Sequence, residues 1–121
     1  MSQVLIVEDD HDLQDLYRIA LFKIGREITA VSDGSSAVNL MQNPLFDPHL
    51  IILDINMAKG ISGLGLLSML RENPRLNRVP VVVVTANDLY RDYAIRAGAK
   101  AFLVKPVKIA DIANLANQLG A

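Results

Sequence analysis

Four short apolar runs constrain this chain more than anything else in it: Val4 to Val7, Leu50 to Leu53, Val79 to Val84 and Ala101 to Val104. They are rich in Val and Ile and hardly alternate with polar residues. A strand that faces water on one side alternates; a strand covered on both faces does not. Ile28 to Val31 is a weaker fifth run. Helical patterns lie between the runs. Leu13, Leu16, Tyr17, Ala20 and Ile24 share one helical face, and Gly25 follows as a stop. Ala37, Leu40 and Met41 predict a second helix beginning near Asp33-Gly34-Ser35. Leu66, Leu67 and Leu70 predict a third, ended by Asn73-Pro74. Leu89 to Ala97 gives a fourth, closed by Gly98. Ile109, Ile112, Leu115, Ala116 and Leu119 give a fifth. Five strand–helix alternations predict an α/β fold with a parallel sheet and helices on both faces.

The length of 121 residues suits one domain, residues 1–121, with no room for a second of ordinary size. Half the residues are apolar, Trp is absent, and only six aromatic side chains are present, three Tyr and three Phe, so aliphatic side chains must fill the core. The net charge of −1 and the lack of a basic run speak against direct nucleic-acid binding, which rests on neutralising many phosphates. With no Cys, disulfide scaffolds, Cys-ligated zinc and thiol chemistry are excluded. No apolar run approaches the roughly 20 residues that span a bilayer, and Met1-Ser2-Gln3 lacks the features of a signal peptide. The expected location is cytoplasmic, with no membrane partner.

In open parallel sheets, ligands bind beyond the carboxyl ends of the strands. The residues just after each run are therefore the ones that can carry chemistry: Glu8, Asp9 and Asp10 after the first, Asp54, Thr85 and Lys105 after the others. Carboxylates gathered in one crevice repel; two unit charges at about 4 Å cost roughly 4 kcal/mol at an effective dielectric near 20. A hard, oxygen-seeking cation such as Mg²⁺ relieves that cost, and Lys105 adds a fixed positive charge. The first loop holds acids where a phosphate cradle would need Gly and free backbone N–H groups. A carboxylate beside Mg²⁺, with a hydroxyl and an ammonium at hand, is equipment for phosphoryl transfer onto Asp54 as nucleophile. Thr85 can donate to one phosphoryl oxygen and Lys105 can pair with another.

VLIVEDD, LIILDINM, VVVVTA and FLVKP, in that order, resemble the strand-end motifs of response-regulator receiver domains across essentially the whole chain. The resemblance implies a flavodoxin-like sheet in order 2-1-3-4-5 with five helices, and a phosphorylation switch of a two-component system. It implies Asp54 as phosphoacceptor and Mg²⁺ as cofactor. Asp9 would ligate directly, Glu8 mostly through water, and Asn56 through its backbone carbonyl. Thr85 and Phe102 would be the switch residues, Lys105 the phosphate-pairing lysine, and Lys105–Pro106 a cis bond. A sensor histidine kinase or a histidine phosphotransfer protein would supply the phosphoryl group, and an output domain or downstream protein would read it. Such a domain catalyses only its own phosphorylation and dephosphorylation.

Two departures stand out. The family places Pro four and Gly eight residues after the acceptor; here those places hold Ala58 and Ser62, and Gly63 comes one place late. Met57-Ala58-Lys59-Gly60-Ile61-Ser62 therefore carries one extra residue. Phe102 replaces the more usual Tyr. A pseudo-receiver, a binding module that works without phosphorylation, remains the alternative. A haloacid-dehalogenase-type hydrolase would need an Asp where Asn56 stands, and a flavodoxin-type carrier would need a Ser/Thr/Gly phosphate loop. Asp10 and Asp12 are equally readable as helix caps, His11 as a helix-start residue and His49 as a loop residue. Tyr90 and Tyr93 are expected half-buried, and Met41, Met57 and Met69 are expected to fill core or loop. Asn56 and Asn87 each follow a site residue by two places and would flank a hydrolytic water. Ile19 and Phe22, off the first helix's core stripe, would meet the phosphodonor protein.

Overall fold

Each apolar run becomes a strand with both faces covered, and the computed structural model describes residues 3–57 and 61–119. The order along the chain is β1 (Gln3–Val7), α1 (His11–Lys23), β2 (Glu27–Val31), α2 (Gly34–Met41), β3 (Leu50–Asp54), α3 (Gly63–Glu72), β4 (Val81–Thr85), a 3₁₀ turn (Asp88–Tyr90), α4 (Arg91–Arg96), β5 (Ala101–Val104) and α5 (Ile109–Gln118). All strand pairs are parallel, in the order β2-β1-β3-β4-β5. This is the flavodoxin-like doubly wound sheet.

The side-chain period of two splits the central strands between two cores. Val4, Ile6, Leu50, Ile52, Val82 and Val84 face α1 and α5, with Tyr17, Leu21 and Ile112. Leu5, Val7, Ile51, Leu53, Val81 and Val83 face α2, α3 and α4, with Leu66, Leu67 and Phe102. Arg75 ties the far end of this second layer, donating to the carbonyls of Met41, Asn43 and Phe46.

Several expectations shift in detail. The fourth strand starts at Val81, not Val79, because Pro80 has no N–H to give a ladder; its carbonyl still accepts from Ile51 N at 3.0 Å. The buried face of α1 is Gln14, Tyr17, Ala20 and Leu21, whereas Leu13, Leu16 and Ile24 are only partly buried at its rim. The stripe is rotated because α1 packs on the sheet and on α5 together. The single fourth helix divides into a 3₁₀ turn and a short α4. Tyr90 and Tyr93 are exposed rather than half-buried, and Met69 is exposed. Met41 is core, and Met57 is partly buried against it. The middle of the expected insertion, residues 58–60, lies outside the described residues.

Candidate functional site

The carboxyl edge of the sheet gathers the predicted residues. Glu8 follows β1 and still bonds to β2, its N–H donating to Val31 O at 3.0 Å; this draws its side chain inward, to 1% exposure. Asp10 turns the other way. Its backbone is extended and Oδ1 accepts from Asp12 N at 2.9 Å and Leu13 N at 3.2 Å, so it caps α1. Asp12 lies in the first turn, where a negative charge complements the helix dipole. Asp54 is the last residue of β3, Thr85 the last of β4, and both are buried. Lys105 follows β5, held by its N–H on Thr85 O at 2.8 Å. Its bond to Pro106 is cis, as the resemblance implies.

Glu8, Asp9 and Asp54 each offer an oxygen, all within 4.8 Å of one another. Lys105 Nζ sits between two of them, 2.9 Å from Asp54 Oδ2 and 3.1 Å from Glu8 Oε1. Burial and the Asp54 charge push the Glu8 carboxyl from 4.5 up to about 7, although Lys105 and the Asp10 N–H pull it back. Burial works to lower the Lys105 pKa, but its hydrogen bond and ion pairs with Asp54 and Glu8 win and raise it. The crevice is thus short of positive charge without a cation. An all-oxygen, mostly carboxylate donor set fits a hard divalent ion such as Mg²⁺.

Thr85 Oγ1 accepts two hydrogen bonds, from Asn56 Nδ2 at 3.0 Å and from Asn87 N at 3.3 Å. Its own O–H is therefore free to donate. Asn56 N also donates to Asp54 Oδ1 at 3.0 Å. The Asn87 side chain accepts from Leu89 N at 2.9 Å and caps the 3₁₀ turn. Both asparagine side chains expected beside a hydrolytic water are engaged in these bonds. Phe102 stands apart from the cluster, in the core under α4, with the Arg91 guanidinium 4.9 Å from its ring centroid. His11 opens α1. His49 is a loop residue whose Nδ1 accepts from Gln3 N at 3.1 Å.

The loop after Asp54 returns very close to it. A Cβ on Gly63 would come within 2.3 Å of Asp54 O, so the late glycine has a steric reason to be there. Its N–H donates to Ile55 O at 3.1 Å. Ser62, in the place the family gives to glycine, caps α3 by accepting from Gly65 N. Gly34, at the start of α2, passes equally close to Ile61, with a Cβ falling 2.2 Å from Ile61 O. These glycine roles were missed in sequence, as was Gln14, which donates to Glu8 O at 2.5 Å. A polar residue inside an otherwise apolar helical stripe was the available signal for Gln14; close backbone approach left none.

A parallel five-stranded sheet with an acidic crevice and a lysine at its carboxyl edge defines a receiver-type α/β switch. The family model described as the response regulator receiver domain matches residues 4–117, and the chain belongs to that family. Sensory transduction protein RegX3 of Mycolicibacterium smegmatis is 37% identical over 108 residues, covering 88% of this chain and 45% of RegX3. The chain thus spans less than half the length of that relative. A solved signal receiver domain of a signal transduction histidine kinase from Syntrophus aciditrophicus is 28% identical, with a TM-score of 0.86, covering 98% of this chain and 89% of that one. The receiver domain of a sensor histidine kinase from Pseudomonas aeruginosa, described with a magnesium ion coordinated in its active site cleft, is 27% identical. Its TM-score is 0.84, over 99% of this chain and 98% of that one. Among the described residues, no helix is long and apolar enough to cross a membrane.

Proposed function

We propose that this receiver domain accepts a phosphoryl group on Asp54 from a phosphohistidine of a sensor kinase or phosphotransfer protein, with Mg²⁺ as cofactor. The observation that carries this reading is the cluster itself: three carboxylate oxygens within 4.8 Å and a lysine Nζ 2.9 Å from the proposed acceptor. Glu8, Asp9, Asp54 and the Asn56 carbonyl would hold the ion. When bound, Mg²⁺ offsets the charge of the cluster and of the incoming phosphoryl group. The magnesium described in the Pseudomonas receiver domain supports the assignment.

The Asp54 carboxylate attacks phosphorus, an O–P bond forms, and the N–P bond to the donor imidazole breaks; its electron pair stays on that nitrogen, and the imidazole leaves neutral, keeping the proton already on its other ring nitrogen. Lys105 Nζ balances charge on one phosphoryl oxygen, and the free Thr85 O–H donates to another. Thr85 would then give up its present neighbours, and Phe102 would follow as the second switch residue. The domain is a switch that turns over only its own phosphoryl group. Signal output would pass to an attached domain or a downstream protein, as the greater length of RegX3 suggests.

Incubation with a small phosphodonor and Mg²⁺, followed by intact-mass measurement, tests this. The wild type should gain the mass of one phosphoryl group, and Asp54→Asn and Asp9→Ala should not. A wild type that gains nothing would instead favour the phosphorylation-independent binding module.

A further inference from the structure

Asn56 stands two places after Asp54 and touches both Asp54 and Thr85. Its backbone N–H donates to Asp54 Oδ1 at 3.0 Å, and its side-chain amide donates to Thr85 Oγ1 at 3.0 Å. The second bond crosses from the loop after β3 to the end of β4, between residues 29 apart in sequence. Asn87 N also donates to Thr85 Oγ1, at 3.3 Å, but it belongs to the loop that directly follows Thr85. A hydroxyl oxygen has two lone pairs, and these two bonds occupy both. They hold the Thr85 side chain in one staggered rotamer, because turning about χ1 carries Oγ1 away from both donors.

The two ends of the crossing bond stand differently to water. Asn56 is exposed, so its amide can exchange Thr85 for solvent at small cost. Thr85 is fully buried. Its hydroxyl can leave Asn56 only for another partner, since a buried polar group without one costs free energy. An anion on Asp54 is such a partner. With donors on both lone pairs, the Thr85 O–H takes the remaining position and points away from Asn56, the residue that sits against Asp54. To aim that O–H at an oxygen on Asp54, the side chain must turn and the Asn56 bond must break.

We propose that Asn56 is a positioning residue whose side-chain amide latches Thr85 in its present rotamer and releases it only to an anion on Asp54. The latch sets how strongly the domain is biased toward its resting arrangement. A ligand shifts such a balance only by the difference in its affinity for the two arrangements. The anion must therefore supply the energy of the bond it breaks, and removing that bond beforehand makes the anion bind tighter. The latch rests on the reading of Asp54 as acceptor and Mg²⁺ as cofactor.

The test is a double-mutant cycle of wild type, Asn56→Ala, Thr85→Val and the double variant. It separates what passes through the Thr85 hydroxyl from everything else that Asn56 does, any effect on the metal included. Affinity for beryllofluoride, a phosphoryl mimic, is measured at saturating Mg²⁺, and the Thr85 χ1 rotamer is read from three-bond NMR couplings. Asn56→Ala should raise the affinity about fivefold, the equivalent of one net hydrogen bond. The same substitution made on Thr85→Val should give none of that gain. Metal-free wild type should show one Thr85 rotamer and adopt another on binding the mimic, and metal-free Asn56→Ala should show couplings averaged between the two. Unchanged or lower affinity in Asn56→Ala overturns the latch and leaves the site reading intact. An equal gain with and without the Thr85 hydroxyl also overturns it. Should Thr85→Val bind no mimic, the couplings decide, and a single unaltered Thr85 rotamer in metal-free Asn56→Ala overturns the latch. A wild type that binds neither Mg²⁺ nor the mimic overturns the site reading and the latch together.

Discussion

Two helices at opposite flanks of the site are built very differently. α1 has thirteen residues, a side-chain cap from Asp10 and four buried residues. α4 has six, no side-chain cap bond, and Ala94 as its buried residue. Leu89, Tyr93 and Ile95 around α4 are 88%, 59% and 45% exposed. α1 is also wired into the site from within, through Asp10 and through Gln14 on the Glu8 carbonyl. α4 hangs on β5 by few contacts and by Arg91 stacked over Phe102. A segment with few buried apolar contacts can shift at small cost. The difference teaches that the site is anchored firmly on one flank and held loosely on the other.

Truncating each flank is the strongest way to break this comparison. Leu21→Ala, in the fully buried face of α1, should cost about 2–5 kcal/mol of stability, measured by urea unfolding. Leu89→Ala beside α4 should stay within about 0.5 kcal/mol. Similar losses at both would remove the contrast.

The next effect comes from Glu8. Its carboxyl sits at about 7 in the folded chain and at its ordinary 4.5 when unfolded. Below 4.5 both states are protonated. Between 4.5 and 7 the folded state keeps a proton that the unfolded state has lost, so stability falls as pH rises through that window. The fall should reach at most about 3 kcal/mol in metal-free protein. Unfolding at pH 5 and pH 7.5 measures it, and Glu8→Gln should flatten the slope. A slope that survives in Glu8→Gln would place its origin elsewhere.

Smaller effects sharpen the contrast. Asp10→Ala removes the α1 cap and should cost about 1 kcal/mol, whereas Arg91→Ala loses an exposed cation–π contact worth about 0.5–1 kcal/mol. Amide exchange should show Arg91→Ala loosening only α4 and its 3₁₀ turn. The least change in stability is expected for Ile19→Ala with Phe22→Ala, both exposed on α1. That pair should nonetheless slow phosphotransfer from the donor histidine protein and leave labelling by a small phosphodonor unchanged. Stopped-flow measurement with both donors distinguishes lost docking from a weakened helix.

The strands were legible because a covered strand must be apolar throughout, and the residues after each run follow from the strand-end rule. Hence Glu8, Asp9, Asp54, Thr85 and Lys105 could be named before any distance was known. Helix α4 was less legible. Tyr90 and Tyr93 are expected half-buried, yet they are exposed along with Leu89 and Ile95, since the apolar residues of a short segment do not reveal which of its sides meets the sheet. The loop after Asp54 was readable only as an oddity of spacing.

Sequence alone therefore determined the α/β class, the parallel sheet and the acids at its edge, because each rests on local pattern and strand-end position. Tertiary structure decided what no local pattern encodes. It paired Lys105 with both Glu8 and Asp54, turned Asp10 into a cap, and brought the Gly63 backbone against Asp54. These depend on how elements distant in sequence approach one another, and that is fixed by the packing of whole helices on the sheet.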